Sequence, residues 1–180
     1  MDVILIRVPD WYVVTGSPSS GTTSTVNRLE RLGYFVVKEA ARKIIDDGTA
    51  EGKTVEEMRK NEWQFQKRVF RLNLEFLEVA PKDRTVFFDN GIPDSLAYYE
   101  INGLDLEEVL RSCRDRLYKK VFFLERLPYT KDYARIEDEE LAKRIGQLSK
   151  KWYIYLGYDI VSIPALALKE RVNLILSHII

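Results

Sequence analysis

GSPSSGTTST, residues Gly16 to Thr25, follows the short apolar run Tyr12-Val13-Val14-Thr15 and leads into a stretch with helical spacing. Gly16 and Gly21 have the separation of the phosphate-loop pattern G-x-x-x-x-G-K-[ST], and Thr23 stands at its hydroxyl position. Thr22 stands where the pattern has lysine. In a strand, glycine loop and helix of this order, backbone N–H groups wrap an anion and the helix dipole points at it. Neither contribution needs the lysine. The alternative is a glycine-rich turn that binds nothing.

Reading outward from the loop, a helix is expected from about Thr22 to Leu32, ended by Gly33. A second strand, Phe35 to Lys38, runs into a helix starting near Glu39. The stretch DDGTAEGKT reads as turns. Thr54 and Glu57 form a capping box for one long helix. Its apolar stripe is Val55, Met58, Phe65, Val69, Leu72, Phe76 and Val79. Glu62 takes the remaining place in that stripe, either touching a substrate or lying at the rim of the core.

Beyond Pro81, TVFF (85–88) is a third strand, and Pro93 to Tyr99 starts a helix broken at Asn102-Gly103. Asp105 caps a further helix to about Tyr118, and VFFL (121–124) is a fourth strand. The acidic turn EDEE (137–140) opens a helix with Leu141, Ile145, Leu148, Trp152 and Tyr155 as its buried stripe. Gly157 ends that helix. Ile160 to Ile163 is a fifth strand, and Leu168 to Ile180 the last helix. The aromatics of AYY and WYIY suit either the core or a homodimer contact. Short continuous apolar strands alternating with helices predict a parallel sheet covered on both faces.

The 180 residues fit one domain over 1–180, with VILIRV near the start as an extra strand or arm within residues 1–10. Lys plus Arg equals Asp plus Glu at 28 each, so no basic excess exists to hold nucleic acid. The single Cys113 excludes an intramolecular disulfide, and with the single His178 it argues against a zinc site of N and S ligands. No apolar run reaches the ~20 residues of a membrane span, and the start lacks signal-peptide features. A cytoplasmic protein is expected.

Several side chains are placed for chemistry. Asp89 ends an apolar strand, VFFD, in the form of a Mg²⁺-holding carboxylate. Glu39 follows the second strand, where it can orient or deprotonate a hydroxyl, or simply start a helix. Arg42, one turn later, can bind a phosphate or carboxylate, or lie on the surface. Asp94, just past the third strand, is a similar candidate. Arg126, Lys131 and Arg135 lie between the fourth strand and EDEE, as a lid over phosphates or as a solvated charge run.

The order and spacing of four stretches resemble those of small P-loop ATPase (AAA-domain) and kinase domains similar to the ribosylnicotinamide kinase half of NadR-type NAD regulators. The stretches are GSPSSGTTST, KEAARKII, FFDNGIPDSLAYY and LPYTKDYARIEDEE, and the resemblance covers nearly the whole chain. It implies an α/β P-loop NTPase (kinase-like) three-layer fold around a parallel five-stranded sheet, with ATP or GTP and Mg²⁺. Gly16, Ser17, Pro18, Ser19, Ser20, Gly21, Thr22, Thr23 and Ser24 would then hold the phosphates, and Thr23 with Asp89 the metal. Asp89 and Glu39 would be catalytic. Glu39, Arg42 and Asp94 would face the acceptor, and Arg126, Lys131 and Arg135 would form the lid. Two positions depart from the family pattern: G-K-T reads Gly21-Thr22-Thr23, and Asp-Arg-Gly reads Asp89-Asn90-Gly91.

Three functional readings follow. One is a phosphotransferase or NTPase acting on a small hydroxyl-bearing metabolite. A second is a nucleotide-binding sensor or regulatory module acting through a partner. The third is a structural relic of the loop with no ligand.

Overall fold

A computed structural model of the chain describes residues 9–115, 117–128 and 137–179. The proposed arm at VILIRV, and the lid candidates Lys131 and Arg135, lie outside the described residues. The elements in chain order are β1 (Trp11–Gly16), α1 (Thr22–Arg31), β2 (Phe35–Val37), α2 (Ala40–Ala50), α3 (Val55–Arg59), α4 (Glu62–Val79) and β3 (Val86–Asp89). There follow α5 (Asp94–Ile101), α6 (Glu107–Ser112), β4 (Lys120–Leu124), α7 (Glu139–Tyr155), β5 (Ile160–Ile163) and α8 (Leu168–Ser177). The strands form one five-stranded sheet in the order β2-β3-β1-β4-β5, every pairing parallel. This is the α/β three-layer P-loop fold.

Successive side chains of β1 point to opposite faces, and the core divides accordingly. Tyr12 and Val14 pack with Phe87, Phe122, Leu124 and residues of α1 and α8. Trp11 and Val13 pack with Val86, Phe88, Val121 and Tyr153 of α7 on the other face. A third cluster joins α4, α5 and α6. A fourth, built on Ala40, Ile44, Ile45, Phe65 and Val69, holds α2 against α4. In the register Val14 pairs with Asp89 and Gly16 with Leu124, so the phosphate-loop candidate and the acid share the carboxyl edge of the sheet.

Several expected boundaries are corrected. DDGTA is helical, because α2 runs on to Ala50. Gly48 is needed there for space: a Cβ on it would lie 2.1 Å from Met58 Sδ of α3. The Thr54 capping box exists but starts only a short helix. Asn61 then caps α4 by accepting from the Gln64 N–H at 3.1 Å, dividing the expected long helix in two. Val79, expected in its apolar stripe, is 79% exposed at the helix end. Helix α6 stops at Ser112, well short of Tyr118. On α7 the buried stripe is Ala142, Ile145, Gly146, Ser149, Trp152 and Tyr153, whereas Tyr155 is 71% exposed. Small residues let α7 approach the phosphate loop, which turns the helix away from the face that size alone selects.

Candidate functional site

β1 delivers the chain to Gly16, where a Cβ would stand 2.5 Å from Ser20 Oγ and 2.7 Å from the Leu124 carbonyl. The loop therefore curls tightly over the end of β4. The Ser20 N–H donates to the Ser17 carbonyl at 3.0 Å. Ser19 (φ 68°) and Gly21 (φ 86°) adopt left-handed backbone. Helix α1 starts at Thr22 with no side-chain cap, so its first turn keeps donors for an anion. The Thr25 N–H and hydroxyl both donate to the Gly21 carbonyl, at 3.1 and 2.8 Å.

Of the predicted site residues, Gly16, Ser17, Pro18, Thr22, Thr23, Glu39, Arg42, Asp89 and Asp94 line three adjoining spaces along this edge. Thr23 and Asp89 line the first, with Glu39 and Arg42. Asp89 is 2% exposed. The Thr23 Oγ1 is buried and has no hydrogen-bond partner among the described residues. Hard oxygen donors of this kind fit Mg²⁺, with the other ligands supplied by phosphate and water. The described residues hold no group of three His, Cys, Asp or Glu that would cage a metal alone.

A second, small cavity faces the loop directly. Thr22, which is 6% exposed, lines it together with Ser17, Asn90, Asp94, Tyr98 and Ser149. The two departures from the family pattern, Thr22 and Asn90, thus meet in one space, and among the described residues no cationic side chain lines it. Asn90 is also left-handed, with φ 67°.

The third space is an open cleft between α2, α4 and the start of α5. Glu39, Arg42, Phe65, Gln66, Tyr98 and Glu137 are among its walls. Glu39 occupies the N-cap position of α2, and Arg42 Nε lies 3.8 Å from its Oε2. Lys43, in contrast, turns to Asp47 at 3.0 Å. Arg126 Nη2 lies 3.2 Å from Glu139 Oε1 on the surface.

Asp94 touches two of the spaces but is committed to the protein. Its Oδ1 accepts from Thr15 Oγ1 at 2.7 Å, and its Oδ2 from the Gly91 N–H at 2.8 Å and Tyr153 Oη at 2.6 Å. Burial pushes its carboxyl up from the ordinary aspartate value, against these bonds and one from Ser149. Asp94 thereby ties the end of β1 to the turn after β3 and to α7.

Four residues escaped the sequence reading. Arg59 donates to Glu62 at 2.6 Å and to Glu137 at 2.8 Å, and stands 5.0 Å over the Phe65 ring. Gln66 Nε2 donates to Glu62 Oε1 at 2.7 Å, so Glu62 serves this network. Glu137, the first acid of EDEE, is buried rather than part of a solvated acidic turn. Arg171 of α8 lies beneath the phosphate loop and donates to the Ser20 carbonyl at 3.0 Å. The local signals for the first three were the i, i+3 spacing of Arg59 and Glu62 and the i, i+4 spacing of Glu62 and Gln66. Nothing near Arg171 marked it.

No helix of the described residues is long and apolar enough to cross a membrane. No curated protein sequence matches the chain significantly. Among solved structures, deoxyadenosine kinase from M. mycoides with bound dATP aligns at TM-score 0.64 and 14% identity, covering 93% of this chain and 98% of that one. The NadR protein in complex with NR aligns at TM-score 0.62 and 18% identity, covering 87% of this chain and 46% of the larger one. At such identities the likeness speaks for the fold, which is the one expected from the loop. Residues 11–171 match the AAA domain family, and the chain belongs to that family.

Proposed function

We propose that the chain binds ATP or GTP with Mg²⁺ and transfers the terminal phosphoryl group to a hydroxyl of a small metabolite of nucleoside type. The observation that carries this is the buried, unpartnered hydroxyl of Thr23, sharing a cleft with Asp89 at the uncapped start of α1. Backbone N–H groups of Gly16 to Ser24 would hold the phosphates. Thr23 and Asp89 would hold Mg²⁺, which supplies charge neutralisation on the phosphate oxygens.

The neighbouring cavity supports the acceptor class, because an aromatic ring and a buried amide, Phe65 and Gln66, line the same space as Glu39. Glu39 would take the proton of the acceptor hydroxyl as its oxygen attacks phosphorus and the nucleoside diphosphate leaves. Arg42, beside Glu39, would balance charge on the transferring group. The fold neighbours support this reading through the ligands they carry, dATP in one and NR in the other.

One observation favours a second reading, a nucleotide-binding module without turnover. Among the described residues, the cavity shared by Thr22 and Asn90 has no cationic wall. Calorimetric titration with ATP, GTP and their diphosphates, with and without Mg²⁺, separates the cases when joined to turnover assays of the parent chain and Thr22→Lys. Mg²⁺-dependent binding with transfer to a nucleoside is the expected result. Binding without turnover in either protein, with nucleosides or water as acceptor, would leave the module reading. Absence of binding to any nucleotide would overturn both.

A further inference from the structure

Arg171 sits against the back of the phosphate loop. It is 5% exposed, and no carboxylate among the described residues lies in ion-pair reach of it. Its Nη1 donates to the Ser20 carbonyl, and its Nε is buried with no hydrogen-bond partner. A Cβ on Gly21 would lie 2.7 Å from Nη1 and 3.2 Å from Nη2, so the guanidinium occupies the space that glycine leaves. A guanidinium does not lose its proton under ordinary conditions. Buried with no carboxylate of the described residues to pair with, such a charge destabilises the apo protein. A fold keeps this arrangement where an anion arrives to complete it.

We propose that Arg171 supplies, from behind the loop, the positive charge that Thr22 removes from its front, and so makes phosphate binding possible without the lysine. This rests on the nucleotide-binding reading above. Two effects act together. The charge lies directly beneath the stretch of backbone that wraps the phosphates, within a region of low dielectric. The hydrogen bond also fixes the Ser20–Gly21 peptide: with its carbonyl turned to Arg171, the planar trans unit points the Gly21 N–H the opposite way, toward the side on which the anion sits. Arg171 is thus a positioning residue for the phosphates, acting through the loop.

The test is a cycle of Arg171→Gln and Thr22→Lys, read by titration with ADP–Mg²⁺ and with adenosine, and by thermal unfolding without ligand. Glutamine retains a donor for the Ser20 carbonyl and removes the charge. Arg171→Gln is expected to weaken ADP binding by about 10- to 100-fold, leave adenosine affinity unchanged, and unfold in the apo state no lower than the parent. Thr22→Lys is expected to gain less than about threefold in the parent and to restore most of the loss in Arg171→Gln, since either cation serves one electrostatic role. Parent-like ADP affinity in Arg171→Gln would overturn the inference while leaving nucleotide binding intact. A gain of about 100-fold from Thr22→Lys alone would overturn it too, even if the Arg171 variant failed to fold. Failure of the parent to bind ADP or ATP would instead overturn the nucleotide reading and this inference with it.

Discussion

Gly146 of α7 and Ser17 of the phosphate loop touch so closely that a Cβ on the glycine would stand 2.0 Å from Ser17 Oγ. Helix α7 therefore braces the loop directly. Gly146→Ala is expected to displace the loop or the helix, lowering stability by about 1–3 kcal/mol. Nucleotide affinity should fall with it. Ser17→Ala combined with Gly146→Ala removes the closest contact and leaves one of 2.9 Å to the residue 17 Cβ, so recovery should be partial. Thermal unfolding and nucleotide titration of the three variants check this. A Gly146→Ala protein matching the parent in both would remove the proposed brace.

The Arg59–Glu137 pair is buried on both sides and joins α3 to the start of α7. Truncating Arg59 to Ala removes the ion-pair partner it supplies to buried Glu137 and to Glu62, and should cost about 3 kcal/mol. Replacing both Arg59 and Glu137 by Leu should cost less than Arg59→Ala alone, because the buried Glu137 carboxylate leaves with its partner and only the part-exposed Glu62 loses its ion pair. Denaturant unfolding at neutral pH gives the comparison. Equal losses in the single and double variants would mean that packing, and not charge, dominates there.

Asp94 gives a pH signature of definite sign. Its folded carboxyl titrates above the ordinary value of 3.8 because of burial. The unfolded chain therefore releases the Asp94 proton first as pH rises. Its titration contributes stability that is fully present below about pH 3.8 and lost as pH climbs through the folded value. Relative to Asp94→Asn, the parent should lose stability across that window and be constant above it. The Asn variant starts from a deficit, since an amide nitrogen cannot accept from Tyr153 or Gly91. Unfolding free energies of both proteins between pH 3 and 8 provide the check. A difference that grows in the parent's favour over the rise would contradict the assignment.

Cys113 is buried at the end of α6, and its thiol is pushed up to about 12 by burial. Alkylation by iodoacetamide at pH 8 should be about 100-fold slower in the folded protein than in denaturant. Rapid modification of the folded chain would show that the α6 region opens readily.

The parts of this molecule legible in the sequence were those governed by local rules. Tyr12 to Asp89 hold the strand and loop signals that define the fold, and Ile160 to Ile163 were read with their observed bounds. Boundaries failed where tertiary contact overrode local preference. Gly48 reads as a turn residue, but in the fold it is the seat for Met58. Asn61 falls inside the expected long helix, but its side chain starts a new one. Among site candidates, Glu39, Arg42, Thr23 and Asp89 come together in one cleft. Arg59, Glu137 and Arg171 were illegible because their partners lie 78 residues away in one case and 151 in another. No period or spacing records such meetings.

The apolar cluster that joins α2 to α4 is separate from the two that line the sheet. The phosphate loop and Asp89 are anchored to the sheet, whereas Phe65 and Gln66 ride on the separate cluster. Selection can therefore redraw the wall of the cleft lined by Phe65 and Gln66, one side chain at a time, with little disturbance to the platform that would hold the nucleotide. A lineage built this way would change what that wall recognises far more easily than what the loop holds.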